Sequence, residues 1–203
     1  VHFRQGRMAC TDCHTAAEMH GEYTTVVDGQ EVPFQPDHRY AGEQNPECID
    51  CHPTVLMDNN VMHRTHGEDF SCQVCHSVAY KSCDGCHVAI SEDSGKPFFR
   101  TEGSYMTFFI GKNTRQDENR PYKYVPVRHV PIAETSFEYY GENLLTTFDA
   151  LPTWVYSTPH NIQRWTEQTK AAEGQSCSSS CHNSSYYLQE SDIEFYQSAN
   201  DGA

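Results

Sequence analysis

"SCQVCHSVAYKSCDGCHV", residues 71–88, carries the pattern Cys-x-x-Cys-His twice within eighteen positions. Working outward, the same pattern places Cys10 and Cys13 before His14, and Cys48 and Cys51 before His52. The quoted stretch adds Cys72 and Cys75 before His76, then Cys83 and Cys86 before His87. A fifth copy, Cys177-Ser-Ser-Ser-Cys181-His182, has one extra residue between the thiols. All ten cysteines are used in this way. With 12 His in 203 residues, five such placements by accident would occur about once in a million, so composition alone does not produce them.

The rest of the composition is poor in the usual core formers. Leu, Ile, Val and Phe together make only 34 of 203 residues, and the formal charge is −14. Such a balance ordinarily reads as disorder. Twelve Tyr and ten Phe are too many for a solvated coil, so something other than aliphatic side chains must fill the interior.

The cysteine spacing supplies the candidate. Cys-x-x-Cys-His is the attachment pattern of c-type haem. Two thiols a short turn apart can each add to one vinyl group of a porphyrin, and the adjacent imidazole then lies under the iron. A zinc reading, with Cys10, Cys13, Cys48 and Cys51 as one tetrahedral site, leaves the five histidines unexplained. Disulfides within each motif would hardly staple distant parts of the chain. Five covalent haems follow as the expected cofactors, with a disulfide or unmodified thiols as the alternative at Cys177 and Cys181. The expected proximal ligands are His14, His52, His76, His87 and His182.

Removing those five leaves His2, His20, His38, His63, His66, His129 and His160, seven candidates for five distal positions. His63 and His66, in "MHRTH", lie three apart and could serve two neighbouring irons. His129 and His160 lie in the motif-poor middle of the chain, where a histidine is most useful as a long-range ligand. His2 stands at a terminus, where chains fray. From Cys75 to Cys83 is eight residues, at most about 28 Å extended and about 12 Å if helical, so groups held there are close neighbours.

Three segments are expected within one unit. Residues 1–92 hold four motifs with sparse structure, short helices around each motif and a Gly/Pro-interrupted loop, "VDGQEVPFQP". Residues 93–176 hold β-like runs, "SYMTFFIG", "YKYVPVRHVPI" and "SFEYYG", which prolines confine to edges or irregular extended chain. A helix is expected there from Thr158 as cap and Pro159 in the first turn, through Ile162, Trp165, Thr169 and Ala172, to Gly174. Residues 177–203 hold the fifth motif and a tail. No 18-residue apolar run exists, so no membrane span is expected. A chain starting at Val1 with no apolar leader is expected to be the processed product of secretion. The acidity disfavours nucleic acid and favours basic partners or metal cations.

On the four regular motifs and the variant at Cys177–His182, the chain resembles the multihaem c-type cytochromes. The resemblance covers about half the chain and implies a multihaem cytochrome fold: irregular backbone, short α-helices, a few short β-strands and a core of stacked haems. It also implies electron transfer through bis-histidine haems, in the periplasm or outside the cell. The closely spaced motifs and surplus histidine are similar to those of subunits of extracellular cytochrome filaments, where a histidine of one subunit can ligate a haem of the next. A secreted homopolymer is therefore the first expectation, working with other redox proteins or extracellular electron acceptors. A soluble periplasmic shuttle, or the redox-partner subunit of a reductase, is the alternative. Haem enzymes need an open sixth position at iron, and five motif histidines with a surplus of further histidines argue against one.

Overall fold

The structure is a computed structural model that describes residues 2–35, 45–106, 108–117, 120–129, 137–147, 153–182 and 186–194. His38 lies outside these, as do the side chains of Cys83, Cys86 and His87. The helices are short: α1 (Ala16–His20), α2 (Cys48–Cys51), α3 (Val61–His66), α4 (Cys72–His76) and α5 (Cys177–Cys181). The strands β1 (Thr24–Val27) and β2 (Gln30–Pro33) form one hairpin, and β3 (Tyr80–Ile90) and β4 (Pro97–Met106) form another. A three-stranded antiparallel sheet runs in the order β5 (Phe109–Lys112), β6 (Tyr124–His129), β7 (Trp154–Tyr156).

Local chemistry explains most of these. Thr15 caps α1 by accepting from the Glu18 N–H at 3.1 Å, and Asn60 caps α3 by accepting from the Met62 N–H at 3.0 Å. Gly21 ends α1 in the left-handed region at φ 71°. The expected loop 27–36 is in part a hairpin, because Asp28 (φ 52°) and Gly29 (φ 79°) both take the positive φ of a two-residue turn matched to strand twist.

Four expectations change. Residues 158–174 form no helix: the Gln163 N–H donates to His76 O at 2.8 Å and Asn161 O accepts from Val78 N–H at 3.1 Å. The Thr166 hydroxyl adds a bond to Cys75 O. Backbone and side-chain groups tied to α4 in this way are withheld from an i to i−4 ladder. Glu138–Tyr140, within an expected strand, is a 3-10 turn. Pro126 stands in the central strand, since β6 pairs with β7 only from Val127 onward and Pro126 O accepts from Ser157 N–H at 2.9 Å. The fourth motif is not helical; its backbone lies in β3, with a register shift between Ser82 and Gly85.

Little of the described chain is buried. Among the described residues the buried hydrophobic side chains are Tyr23, Val74, Ile110 and Val125, while Phe3 is 79% and Met57 76% exposed. The accessible surface is 15026 Å², against about 9,700 Å² for a compact monomer of this mass. No described helix is long and apolar enough to cross a membrane.

Candidate metal centres

Four motifs are built as single tight turns. In the first, a 3-10 turn (Cys10–Asp12), the Asp12 carboxylate accepts from the Ala9 N–H at 2.8 Å and the His14 N–H closes on Cys10 O at 2.9 Å. In the second, Asp50 accepts from the Glu47 N–H at 2.8 Å and the His52 N–H closes on Cys48 O at 3.0 Å. The third turn, α4, is anchored by buried Val74 and by the Ser71 carbonyl, which accepts from the Val74 N–H at 2.9 Å. The fifth, α5, is capped by Ser176, whose hydroxyl accepts from the Ser179 N–H at 3.1 Å. On a helical turn, residues three and four apart are both neighbours, so the extra residue between Cys177 and Cys181 keeps the two thiols on one face.

Four motif histidines face four histidines from elsewhere in the chain. Ring centroids lie 6.0 Å apart for His14 and His160, 6.1 Å for His52 and His2, 6.2 Å for His76 and His63, and 6.3 Å for His182 and His66. Two imidazoles bound end-on to one metal, each about 2 Å from it and about 1.2 Å from ring nitrogen to centroid, would have centroids about 6.4 Å apart. Four pairs thus fit a single central metal atom each.

The outer nitrogens point the same way. The His14 Nδ1–H donates to Glu18 Oε2 at 2.7 Å, and the His63 Nδ1–H to Asp58 Oδ2 at 3.0 Å. The His76 Nδ1–H donates to Gln163 O at 3.0 Å and the His66 Nδ1–H to Met62 O at 3.3 Å. Carboxylate and carbonyl oxygens only accept, so each of these four rings donates from Nδ1, and the neutral tautomer that does so has its lone pair on Nε2. This is the arrangement of a metal-ligating histidine.

Among the described residues no three His, Cys, Asp or Glu side chains converge as they would around a metal ion, so Cys10, Cys13, Cys48 and Cys51 form no tetrahedral cluster. The eight described cysteines are free. Each imidazole pair could hold one metal atom between its two rings with the remaining ligands coming from another group, and a porphyrin iron would meet that requirement. The thiols also place the motifs in sequence. Cys48 and Cys72 share a hydrogen bond, which pushes Cys48 up and draws Cys72 down. Burial pushes Cys75 up to about 11, with nearby Cys181 adding to it, and Cys13 is raised by burial and then by Cys51. The first, second, third and fifth motifs therefore adjoin in that order.

The remaining candidates stand apart. His129, on β6, lies 5.2 Å from the Trp154 ring and burial draws it down. His20 is exposed at the end of α1, and no described ring faces it. Sequence reading missed Glu18, Asp58 and the Gln163 carbonyl. The i to i+4 spacing of His14 and Glu18 was a usable signal; Asp58, before its helix, and Gln163, 87 residues from His76, gave none. Compared with known proteins, the chain matches no family model, and neither the curated proteins nor the solved structures include a significant match.

Proposed function

We propose that this chain is an electron-transfer protein carrying five covalently bound c-type haems, one at each Cys/Cys/His motif. The observation that carries the reading is the set of four imidazole pairs at 6.0–6.3 Å, each joining one motif histidine to one histidine from elsewhere. When bound, haem supplies reversible one-electron exchange at iron. Everything else is the chain's work. Paired thiols would fix each group covalently, with His14, His52, His76 and His182 binding on one side. His160, His2, His63 and His66 would bind on the other, which would leave those four sites no open position for a substrate and argues against an enzyme. Helix α3 carries His63 and His66 three residues apart and so holds the third and fifth sites side by side. The small buried core and the large surface support a chain that wraps planar apolar groups.

Pyridine haemochrome assay with intact mass measurement tests the reading. Five haems per chain joined through thioethers are expected; zinc, or no bound group, would overturn it.

The proposed assembly is a secreted, extracellular homopolymer. Its support is the exposed apolar surface, including Phe3, Met19 and Met57, and the exposed His20. Electron microscopy of the native protein should show uniform fibres, whereas discrete particles would make it a soluble shuttle or a subunit docking to another redox protein.

A further inference from the structure

The outer hydrogen bonds differ in kind between sites, and that difference carries a consequence for driving force. At the first site the His14 Nδ1–H meets a carboxylate, Glu18, whose side chain is only 14% exposed. At the third site His63 meets the Asp58 carboxylate, 40% exposed, while its partner His76 meets a neutral carbonyl. At the fifth site His66 meets a neutral carbonyl, at the longer distance of 3.3 Å. A carboxylate accepting from Nδ1–H pushes electron density towards Nε2 and makes the ring a stronger donor. A stronger donor stabilises the ferric state over the ferrous one.

We propose that Glu18 and Asp58 are positioning residues that lower the reduction potentials of the first and third haem sites relative to the fifth, giving the chain a built-in direction. This rests on the haem reading above. Reduction at a site adds one electron and no proton, and no bond between iron and histidine forms or breaks. Glu18 is the more buried of the two, so its charge is less screened and its effect should be the larger.

The test is spectroelectrochemical titration of the haem-loaded protein and three variants at one fixed pH. Glu18→Gln and Asp58→Asn keep the side-chain shape and an acceptor oxygen while removing the charge. Glu22→Gln removes a charge from the same segment with no histidine contact, which controls for net charge. In Glu18→Gln, one haem should become easier to reduce. Its reduced-to-oxidised ratio, read at that haem's parental midpoint, should rise severalfold towards tenfold, where tenfold is about 59 mV for a one-electron couple. Asp58→Asn should shift a different haem by less, and the double variant should show both changes. Equal shifts in all three single variants, with haem content and low-spin spectrum unchanged, would overturn this inference and leave the haem reading standing. Absence of haem from the parent protein would overturn both.

Discussion

Glu47 stands half-buried immediately before Cys48, and burial raises its carboxyl above the usual range despite the opposing pull of Arg120. A carboxyl raised on folding binds its proton more tightly in the folded state. Its contribution to stability is complete below the unfolded value and is lost as pH rises through the folded one. Glu47→Gln is therefore expected to raise the thermal midpoint at pH 7 and to leave it unchanged at about pH 4, below the ordinary glutamate value, as scanning calorimetry would show. A second substitution addresses the histidine pairs. His160→Ala removes the imidazole facing His14, so one haem should turn high-spin and bind added cyanide or imidazole while the others stay low-spin. The motif residues are legible in the sequence because thiol, thiol and imidazole are fixed by spacing within one turn. The pairing is not: His14 meets a histidine far along the chain, and only the path of residues 157–163 past α4 brings it there. His2 faces His52 although its terminal position argues for fraying, and His20, beside a well-formed cap, faces no described ring.

Among the elements, α3 bears the most, since its six residues carry both His63 and His66, the proposed ligands of two sites, and its C-terminal cap is tight. A Cβ on Gly67 would meet Leu56 Cδ2 and come within 2.5 Å of His63 O, a backbone atom that cannot swing aside. Gly67→Ala should cost about 1–3 kcal/mol, read as a lower unfolding midpoint, and should perturb the third and fifth haems before the first. In β5, a Cβ on Gly111 would come within 2.6 Å of Val127 Cγ1, so the close approach of β5 to β6 needs glycine there. Short helices at the motifs were legible from the Cys/Cys/His spacing, whereas the caps that set the bounds of α1 and α3, at Thr15, Gly21 and Asn60, were not read from it. The helix expected over residues 158–174 was not formed, because tertiary bonds from His76, Val78 and Cys75 claim that segment. The same competition explains β6: Pro126 reads as an edge residue, yet it accepts without donating where β7 has not begun.

At the scale of the whole molecule, a chain with few buried apolar side chains among its described residues and a charge of −14 has little to offset the entropy of ordering its backbone. Produced without haem attachment, it is expected to show no cooperative thermal transition by circular dichroism; a sharp transition in haem-free protein would contradict a haem-built core. The adjacency of the first, second, third and fifth motifs, read from their thiols, would set the proposed haems at those motifs in a continuous row. The central claim is that opposed imidazoles close the iron sites, and electron paramagnetic resonance of the oxidised protein, with haems counted on the same sample, tests it most directly. The expected result is five haems per chain, with at least four of them giving low-spin ferric signals. High-spin signal amounting to two or more haems per chain, or a chain without iron, would contradict it.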